Sequence, residues 1–360
     1  MKINFIIPGQ RLTGGILVIE RYAKELARRG HKVTLYAPWC AYNVHRSKYK
    51  LKNLYTQIKS TIKEIILFSL KKNHEEKSLY RIKRPWKLSN KTIDNGDVVI
   101  ATAWPTAYDV NKLDDIKGTK FYFIQDFEIW DNKELAIKTY LFNLKKIVIS
   151  NWINEQLKYN ECEQGKIINN GIDLGEFDCK IKKYNDAENV QCLMLYHHLE
   201  KKGVKDGIEA FERIKYKNRS VKLCMFGIEK RENIPDYVCY YRNPSHEELC
   251  ELYRKSDIFI YPSREEGWGL TPIEAMACKC AVVGTMTGCM LDIGKLGENA
   301  LLSDPKDIDT LTENIQLLIN DIELRRKISE NGYNTIKKLN WNNAFDKFEK
   351  EVSSIEIKNS

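Results

Sequence analysis

No run in this 360-residue chain approaches 18 consecutive apolar residues, the length a helix needs to cross a bilayer. The dinucleotide fingerprint GxGxxG is missing, and so is the phosphate loop GxxxxGK(S/T). Cys278-Lys279-Cys280 lacks the spacing and the second ligand pair of a zinc site, so it reads as structural. No 20-to-50-residue repeat recurs, and nothing is low-complexity. No activated Ser or Cys nucleophile stands out. These absences exclude a membrane-spanning helix, a P-loop, a fingerprint-type dinucleotide site, a zinc module and a repeat array.

What remains is globular. Hydrophobic residues make up 43% and charged residues 30%, and the length suits two domains, each able to bury its own core. The apolar start reaches Pro8-Gly9 too soon for a signal peptide and reads as a first strand. Ten cysteines scatter through apparent core segments, among them Cys192, Cys224 and Cys278. The expectation is a cytoplasmic chain with reduced thiols.

The net charge of +9 is uneven. Residues 45–91 hold fourteen Lys or Arg against three acids, an excess of 11 that exceeds that of the whole chain. Tyr49, Tyr55, Phe68, Tyr80 and Trp86 interleave with those cations, and residues 55–70 suit an amphipathic helix. Three readings stay open for this basic insertion: a solvated face, contact with an anionic membrane surface, or a nucleic-acid surface. RNA-recognition motifs are missing, so nucleic acid ranks last and is not expected as a partner.

Strand and helix periods alternate twice. Residues 2–8 and 32–37 read as strands around a helix over 16–29, which Gly14 and Gly15 precede. Free N–H groups at such a helix start can hold a phosphate or a sugar hydroxyl. Strands follow over 97–101, 120–124 and 146–149, with a helix over 151–158. A second alternation begins at 191–196 and runs through a helix at 205–215, a strand at 221–226 and a helix at 246–255. Residues 307–331 are mostly helical, and 341–352 form a last amphipathic helix.

The second half centres on residues 257–283, DIFIYPSREEGWGLTPIEAMACKCAVV. An apolar strand leads into a loop with Gly267 and Gly269. Thr271-Pro272-Ile273-Glu274 then opens a helix, with Thr271 suited to the N-cap and Glu274 three residues on. The loop lies at the carboxyl end of a parallel strand, the edge where open α/β sheets bind ligands. Two acids mark it, Glu266 and Glu274. From the residues alone, Glu274 is a ligand group or a capping-box acid, and Glu265 is a solvated loop acid.

EEGWGLTPIEAMA, followed by Val282-Val283-Gly284-Thr285 and Gly297-Glu298-Asn299-Ala300-Leu301-Leu302, resembles the group 1 (family 4) retaining glycosyltransferases. So do Gly14-Gly15, Ala23-Lys24-Glu25-Leu26-Ala27-Arg28-Arg29-Gly30-His31, Asn170-Gly171-Ile172-Asp173 with Phe177, and Lys202-Gly203. The resemblance implies an α/β chain of two Rossmann-like domains facing each other across a cleft, the GT-B architecture. Boundaries would fall at 1–172, carrying the basic insertion 45–91, at 173–338 for the nucleotide-sugar domain, and at 339–360 for a helix returning to the first domain.

By the same resemblance the donor is a nucleotide-diphosphate sugar. It would be held by Gly14, Gly15, Gln125, Lys202, Gly267, Trp268, Gly269, Leu270, Thr271 and Glu274. Glu274 would accept from ribose hydroxyls and Glu266 would contact the donor sugar. Lys202 would face the phosphates and make a metal unnecessary; no cofactor is expected. The family usually has an arginine five residues before this lysine, where His197 stands here. Phosphate stabilisation would then come from His197, from Arg264 or from elsewhere. After the strand at 120–124, Gln125-Asp126 stands where many members have His-Asp, which leaves the sugar open. Glu266, Lys202, His197 and Asp126 are the residues expected to carry catalysis.

The function implied is sugar transfer to a carbohydrate or lipid-linked glycan in cell-surface polysaccharide or glycoconjugate synthesis. The location would be cytoplasmic, with a peripheral site on the inner face of the plasma membrane if residues 45–91 bind lipid. Two alternatives stand beside it: a catalytically weak sugar-nucleotide-binding protein, and a GT-B-like sugar-nucleotide epimerase.

Overall fold

A computed structural model describes residues 1–9, 14–39, 42, 58, 59, 62, 79–130, 132–177, 182, 184, 185, 189–217 and 220–354, with no side-chain account of Lys217. Most of the basic insertion, including all but residues 58, 59 and 62 of the amphipathic helix expected over 55–70, lies outside them.

The chain divides into two compact units. The first comprises Met1–Ile149, Ile153–Ile168 and Ala344–Ser360; the second comprises Ser150–Trp152 and Asn169–Asn343. These breaks fall near 149–169 and at 343, where the sequence reading set 172 and 338.

The first unit is built on β1 (Lys2–Ile6), β2 (Lys32–Tyr36), β3 (Arg81–Lys83), β4 (Val98–Ala101), β5 (Thr119–Ile124), β6 (Lys145–Val148) and β7 (Lys166–Ile167). They form one sheet in the order β3-β2-β1-β4-β5-β6-β7, with every described pairing parallel. Central strands of such a sheet are covered on both faces and read as unbroken apolar runs. FYFI in β5 and VVIA in β4 are buried at every position.

Helix Trp341–Ser353 closes this core. Phe348 is fully buried, with its ring centroid 4.6 Å from Tyr22, 5.3 Å from Phe123 and 6.2 Å from Phe5. Arg29 fastens the same helix through Asp346 and Glu349, both at 2.7 Å. The last segment of the chain therefore completes the core begun by the first strand.

The second unit repeats the plan. Its strands are β8 (Gln191–Leu195), β9 (Lys222–Gly227), β10 (Cys239–Arg242), β11 (Ile258–Tyr261), β12 (Ala281–Thr285) and β13 (Ala300–Ser303). Their order is β10-β9-β8-β11-β12-β13, again parallel throughout. Cys192, Met194, Ile258, Ile260, Ala281 and Val283 form the inner layer, under Ala210, Phe211 and Ile214.

In both sheets the winding direction reverses once, between β1 and β4 and between β8 and β11. The carboxyl ends of the strands flanking such a reversal leave a crevice where open α/β sheets take ligands. The loops after β1 and after β8 and β11 carry the residues singled out from the sequence.

Several local details go beyond the sequence expectations. The helical region at 307–331 is two helices, Ile308–Asn320 and Ile322–Ile336. They break at Asp321, whose side chain accepts from the Leu324 N–H at 2.8 Å and caps the second. Helices Trp104–Asn111 and Lys133–Tyr140 were not expected; each is eight residues long, too short for its period to stand out. Exposed β3 and β10 carry no apolar run, because they lie at sheet edges.

The eight described cysteines carry free thiols. Cys278 and Cys280 are buried and donate to the carbonyls of Phe177 and Tyr253, both at 3.0 Å. That is the structural role read from their spacing.

Candidate functional site

Three adjacent strands of the second unit, β9, β8 and β11, end at one edge. The turn after β8 holds His197, His198 and Lys202. Lys202 closes a short 3-10 turn, Glu200–Lys202, which Gly203 terminates at φ 63°. A side chain there would place its Cβ 1.8 Å from the Pro262 carbonyl oxygen, so the close approach of this turn to the β11 loop requires glycine.

The β11 loop is pinned along its length. Arg264 and Glu265 donate their N–H groups to the Lys201 carbonyl at 2.8 and 3.2 Å. The Gly267 carbonyl accepts from the Ser150 hydroxyl at 2.5 Å. The Trp268 carbonyl accepts from the Cys289 N–H at 2.6 Å, and the Gly269 carbonyl from the Cys289 thiol at 3.3 Å. Gly269 adopts φ 82°, and a Cβ on it would meet the Tyr261 hydroxyl at 2.7 Å.

This pinning brings Lys202 and Glu266, 64 residues apart in the chain, into a hydrogen-bonded ion pair. Both side chains are mostly buried, so their attraction is screened less than on an open surface. A cation and an acid thus share the reversal point of the sheet.

Helix Leu270–Ala277 starts directly after the loop, with Gly269 as its N-cap and no side-chain cap. Thr271 is therefore inside the helix, and Glu274 does not form a capping box. Its carboxylate instead accepts from the Tyr253 hydroxyl at 2.8 Å. Burial pushes the Glu274 carboxyl up to about 7, with the Tyr253 bond opposing and Glu176 adding to the rise. The first N–H groups of any helix lack partners inside it and face outward with the positive dipole end. Here those groups belong to Leu270, Thr271 and Ile273, since Pro272 has no N–H, just beyond Gly267 and Trp268.

His197 and His198 stack with ring centroids 4.8 Å apart. Both face Glu229, on the loop after β9. His198 Nδ1 hydrogen-bonds Glu229 Oε2, and His197 Nε2 lies 3.8 Å from Oε1. Ligand atoms of the three residues fall within 4.8 Å of one another. Burial lowers the His197 imidazole below its ordinary range against the pull of Glu229, and Lys202 lowers it further. Glu229 is held below the usual carboxylate range, its desolvation outweighed by the two histidines.

Arg264, a candidate for phosphate, is committed elsewhere. It grips buried Asp206 with Nε at 2.8 Å and Nη2 at 2.7 Å, and reaches Glu200 at 2.6 Å. A bidentate pair of this kind holds the loop together. Glu265 is exposed, as expected.

In the first unit, Gly14 and Gly15 open helix Gly14–Arg28 beside the end of β5. Gln125 Nε2 donates to the Gly15 carbonyl at 3.1 Å. Asp126 Oδ1 accepts from the Phe127 N–H at 2.9 Å, which shapes the turn after the strand. Next to it, Glu128 Oε2 accepts from the Trp104 N–H at 2.8 Å and ties the β5 loop to helix Trp104–Asn111.

Sequence reasoning missed Glu229, Tyr253 and Glu128. Each acts on a partner 21 to 31 residues away, and none sits in a motif. The carboxyl-edge position of Glu229, just past an apolar strand, was the one available signal.

Over residues 177–335 the chain matches the family of glycosyl transferases group 1. An uncharacterised glycosyltransferase of Methanocaldococcus jannaschii is 31% identical over 204 residues, which is 55% of this chain and 56% of that relative's own length. The capsular polysaccharide biosynthesis glycosyltransferase CapM of Staphylococcus aureus is 27% identical over 312 residues, 78% of this chain and 76% of CapM. Among solved structures, HepE of Anabaena in complex with UDP-glucose has the same fold, at a TM-score of 0.72 and 16% identity over 99% of this chain and 100% of that one. Residues 177–335 are thus similar to the group 1 glycosyl transferases. The fold is GT-B.

Proposed function

We propose that this protein is a retaining glycosyltransferase, moving a sugar from a nucleotide-diphosphate sugar to a carbohydrate acceptor in cell-surface polysaccharide or glycoconjugate synthesis. The observation that carries the reading is the Lys202–Glu266 pair at the reversal point of the second sheet, beside Glu274 and the start of helix Leu270–Ala277. UDP-glucose in the Anabaena structure supports a nucleotide-sugar donor, and the role named for CapM supports a polysaccharide product.

In this reading the donor phosphates exchange places with Glu266 on Lys202. The freed Glu266 turns to the sugar hydroxyls, and Glu274 accepts from the ribose. Charge that develops on the leaving diphosphate meets a fixed cation and outward N–H groups, which need no reorganisation as the bond breaks. The leaving phosphate takes the proton of the acceptor hydroxyl on the same face, so configuration is retained and no protein nucleophile is required. Binding positions both partners. Lys202 supplies the positive charge, and no metal is required. Gly14, Gly15, Gln125 and Asp126 would serve the sugar side, and the basic insertion would bring the enzyme to a lipid-linked acceptor at an anionic membrane. Among the described residues no helix is long and apolar enough to cross a membrane.

The test is a thermal-shift screen of nucleotide sugars, followed by transfer assays and determination of the product's anomeric configuration. A ligand that binds only the folded state raises its melting temperature by mass action. Failure of every nucleotide sugar to bind would overturn the reading, and an inverted product would overturn the retaining mechanism. Co-sedimentation with anionic vesicles at low salt tests the membrane contact. His197 in the arginine's place favours one second reading, a sugar-nucleotide-binding protein with weak turnover; tight donor binding without transfer or hydrolysis would establish it.

A further inference from the structure

Beneath the Glu266 side chain the second unit buries a hydroxyl that the fold does not pair. Tyr261 ends β11 and is buried, and its hydroxyl has no hydrogen-bond partner among the described residues. Thr287 and Ser263 come near it without reaching hydrogen-bond geometry. Burial holds the phenol well above its ordinary range, and the Glu266 charge adds to the rise, so the group stays an O–H donor at neutral pH. A buried donor without an acceptor costs stability, and its presence calls for a physical reason.

Two glycines show what the hydroxyl borders. A Cβ on Gly269 would lie 2.7 Å from it and 3.1 Å from Glu266 Cγ. A Cβ on Gly288 would lie 3.0 Å from it and 3.1 Å from Glu266 Cβ. The hydroxyl and the Glu266 stem are therefore neighbours, across spaces that glycine leaves open. The nearby carbonyls are taken: that of Trp268 by the Cys289 N–H at 2.6 Å, that of Gly269 by the Cys289 thiol at 3.3 Å and that of Ser263 by the Thr285 hydroxyl. Glu266 differs from them. Its Oε2 meets Lys202, and no described residue meets its Oε1.

We propose that Tyr261 is a positioning residue for Glu266 in the donor complex. When the donor phosphates take Lys202, the freed carboxylate turns to the Tyr261 hydroxyl, which holds one oxygen and leaves the other for the sugar. The proposal rests on the nucleotide-sugar reading above. It gives Glu266 two rests, Lys202 before the donor arrives and Tyr261 after. A carboxylate parted from its cation in a mostly buried place needs a donor. A neutral phenol supplies one through a charge-assisted bond, without adding a charge that competes for the phosphates. The hydroxyl that is unpaired in the free protein becomes paired in the complex, which offsets part of the cost of opening the ion pair.

Tyr261→Phe deletes the hydroxyl and keeps the ring. The free protein should melt at or above the wild-type temperature, since the deleted group has no partner there. Calorimetric titration with UDP-glucose, or with the nucleotide sugar that the thermal-shift screen returns, should show the variant binding about tenfold more weakly, the loss of one hydrogen bond to a charged group. In a Glu266→Ala background the same substitution should change affinity by less than about twofold, because its partner is gone. An equal loss in that background overturns the proposal, since the hydroxyl would then act on the ligand or the fold and not on Glu266. A lowered melting temperature of the free variant overturns it too, because the hydroxyl would already be engaged before the donor arrives. If the wild type binds no nucleotide sugar at all, the donor reading falls and takes this proposal with it; if it binds and Tyr261→Phe matches it, this proposal alone falls.

Discussion

The Tyr253 hydroxyl donates to Glu274 Oε2 across 2.8 Å, joining helix His246–Lys255 to the helix that follows the site loop. Tyr253 is fully buried and cannot be reoriented cheaply, so it fixes one carboxylate oxygen. Glu274 is a half-buried acid with one neutral donor, and its elevation to about 7 follows from desolvation that this one bond does not offset.

Donor binding should therefore depend on pH through Glu274. Ribose hydroxyls donate, so they want the ionised carboxylate. Affinity should rise severalfold from pH 6 to pH 8, and Glu274→Gln should flatten the profile. Calorimetric titration across that range checks it.

The same elevation has a stability counterpart of known sign. The folded state holds the Glu274 proton to about 7, while the ordinary value is 4.5. The fold binds more protons than the unfolded chain between those values. Its contribution is full below 4.5 and is lost as pH rises through about 7. A tenfold difference in proton affinity between the folded and unfolded chain corresponds to roughly 1.4 kcal/mol. Melting temperature should fall from pH 5 to pH 8 by more in the wild type than in Glu274→Gln.

Lys202→Ala should cost at least about two orders of magnitude in kcat/KM, the scale of a lost transition-state donor. Glu266→Gln should lower turnover while leaving the phosphates' cation in place. Near-wild-type rates in both would remove the pair from the mechanism.

Gly203→Ala and Arg264→Ala test the scaffold beneath the pair. The first drives a Cβ into the Pro262 carbonyl from a left-handed backbone and should destabilise by several kcal/mol. The second leaves buried Asp206 without its bidentate partner, a loss of about 3–5 kcal/mol. Per folded molecule, Arg264→Ala should weaken donor binding less than Lys202→Ala does, because it loosens the loop without removing the cation. Urea melts and donor titration below the melting transition separate the two effects.

Phe348→Ala should cost about 3–5 kcal/mol, since that ring fills the space between Tyr22, Phe5 and Phe123. A denaturant midpoint shift in the full chain measures it.

Much of the site was legible because its residues lie in one short stretch. Strand 257–261, the glycines, Glu266 and Glu274 announce a strand-loop-helix turn at a carboxyl edge. The detail of that turn was less so. Thr271 looked like the cap and Glu274 like its partner, but the chain places Gly269 at the cap with φ 82°. A local propensity yielded there to the packing of the loop on Tyr261 and Cys289. Arg264 looked available for phosphate because nothing in its neighbourhood predicts Asp206, 58 residues away, as its partner.

By itself the sequence determined the class of fold, two rounds of strand and helix periods, and the family that the motifs resemble. Both are local properties: periodicity records which faces are buried, and a motif records groups that must sit on one turn. Only the tertiary structure decided that Lys202 meets Glu266, that Gln125 meets the Gly15 carbonyl, that Tyr253 holds Glu274 and that Glu229 faces His197. These partners lie 21 to 110 residues apart. They meet because parallel strands deliver distant loops, and the helices between them, to neighbouring places on the sheet, and the order of strands in the sheet is set by packing rather than by any one segment.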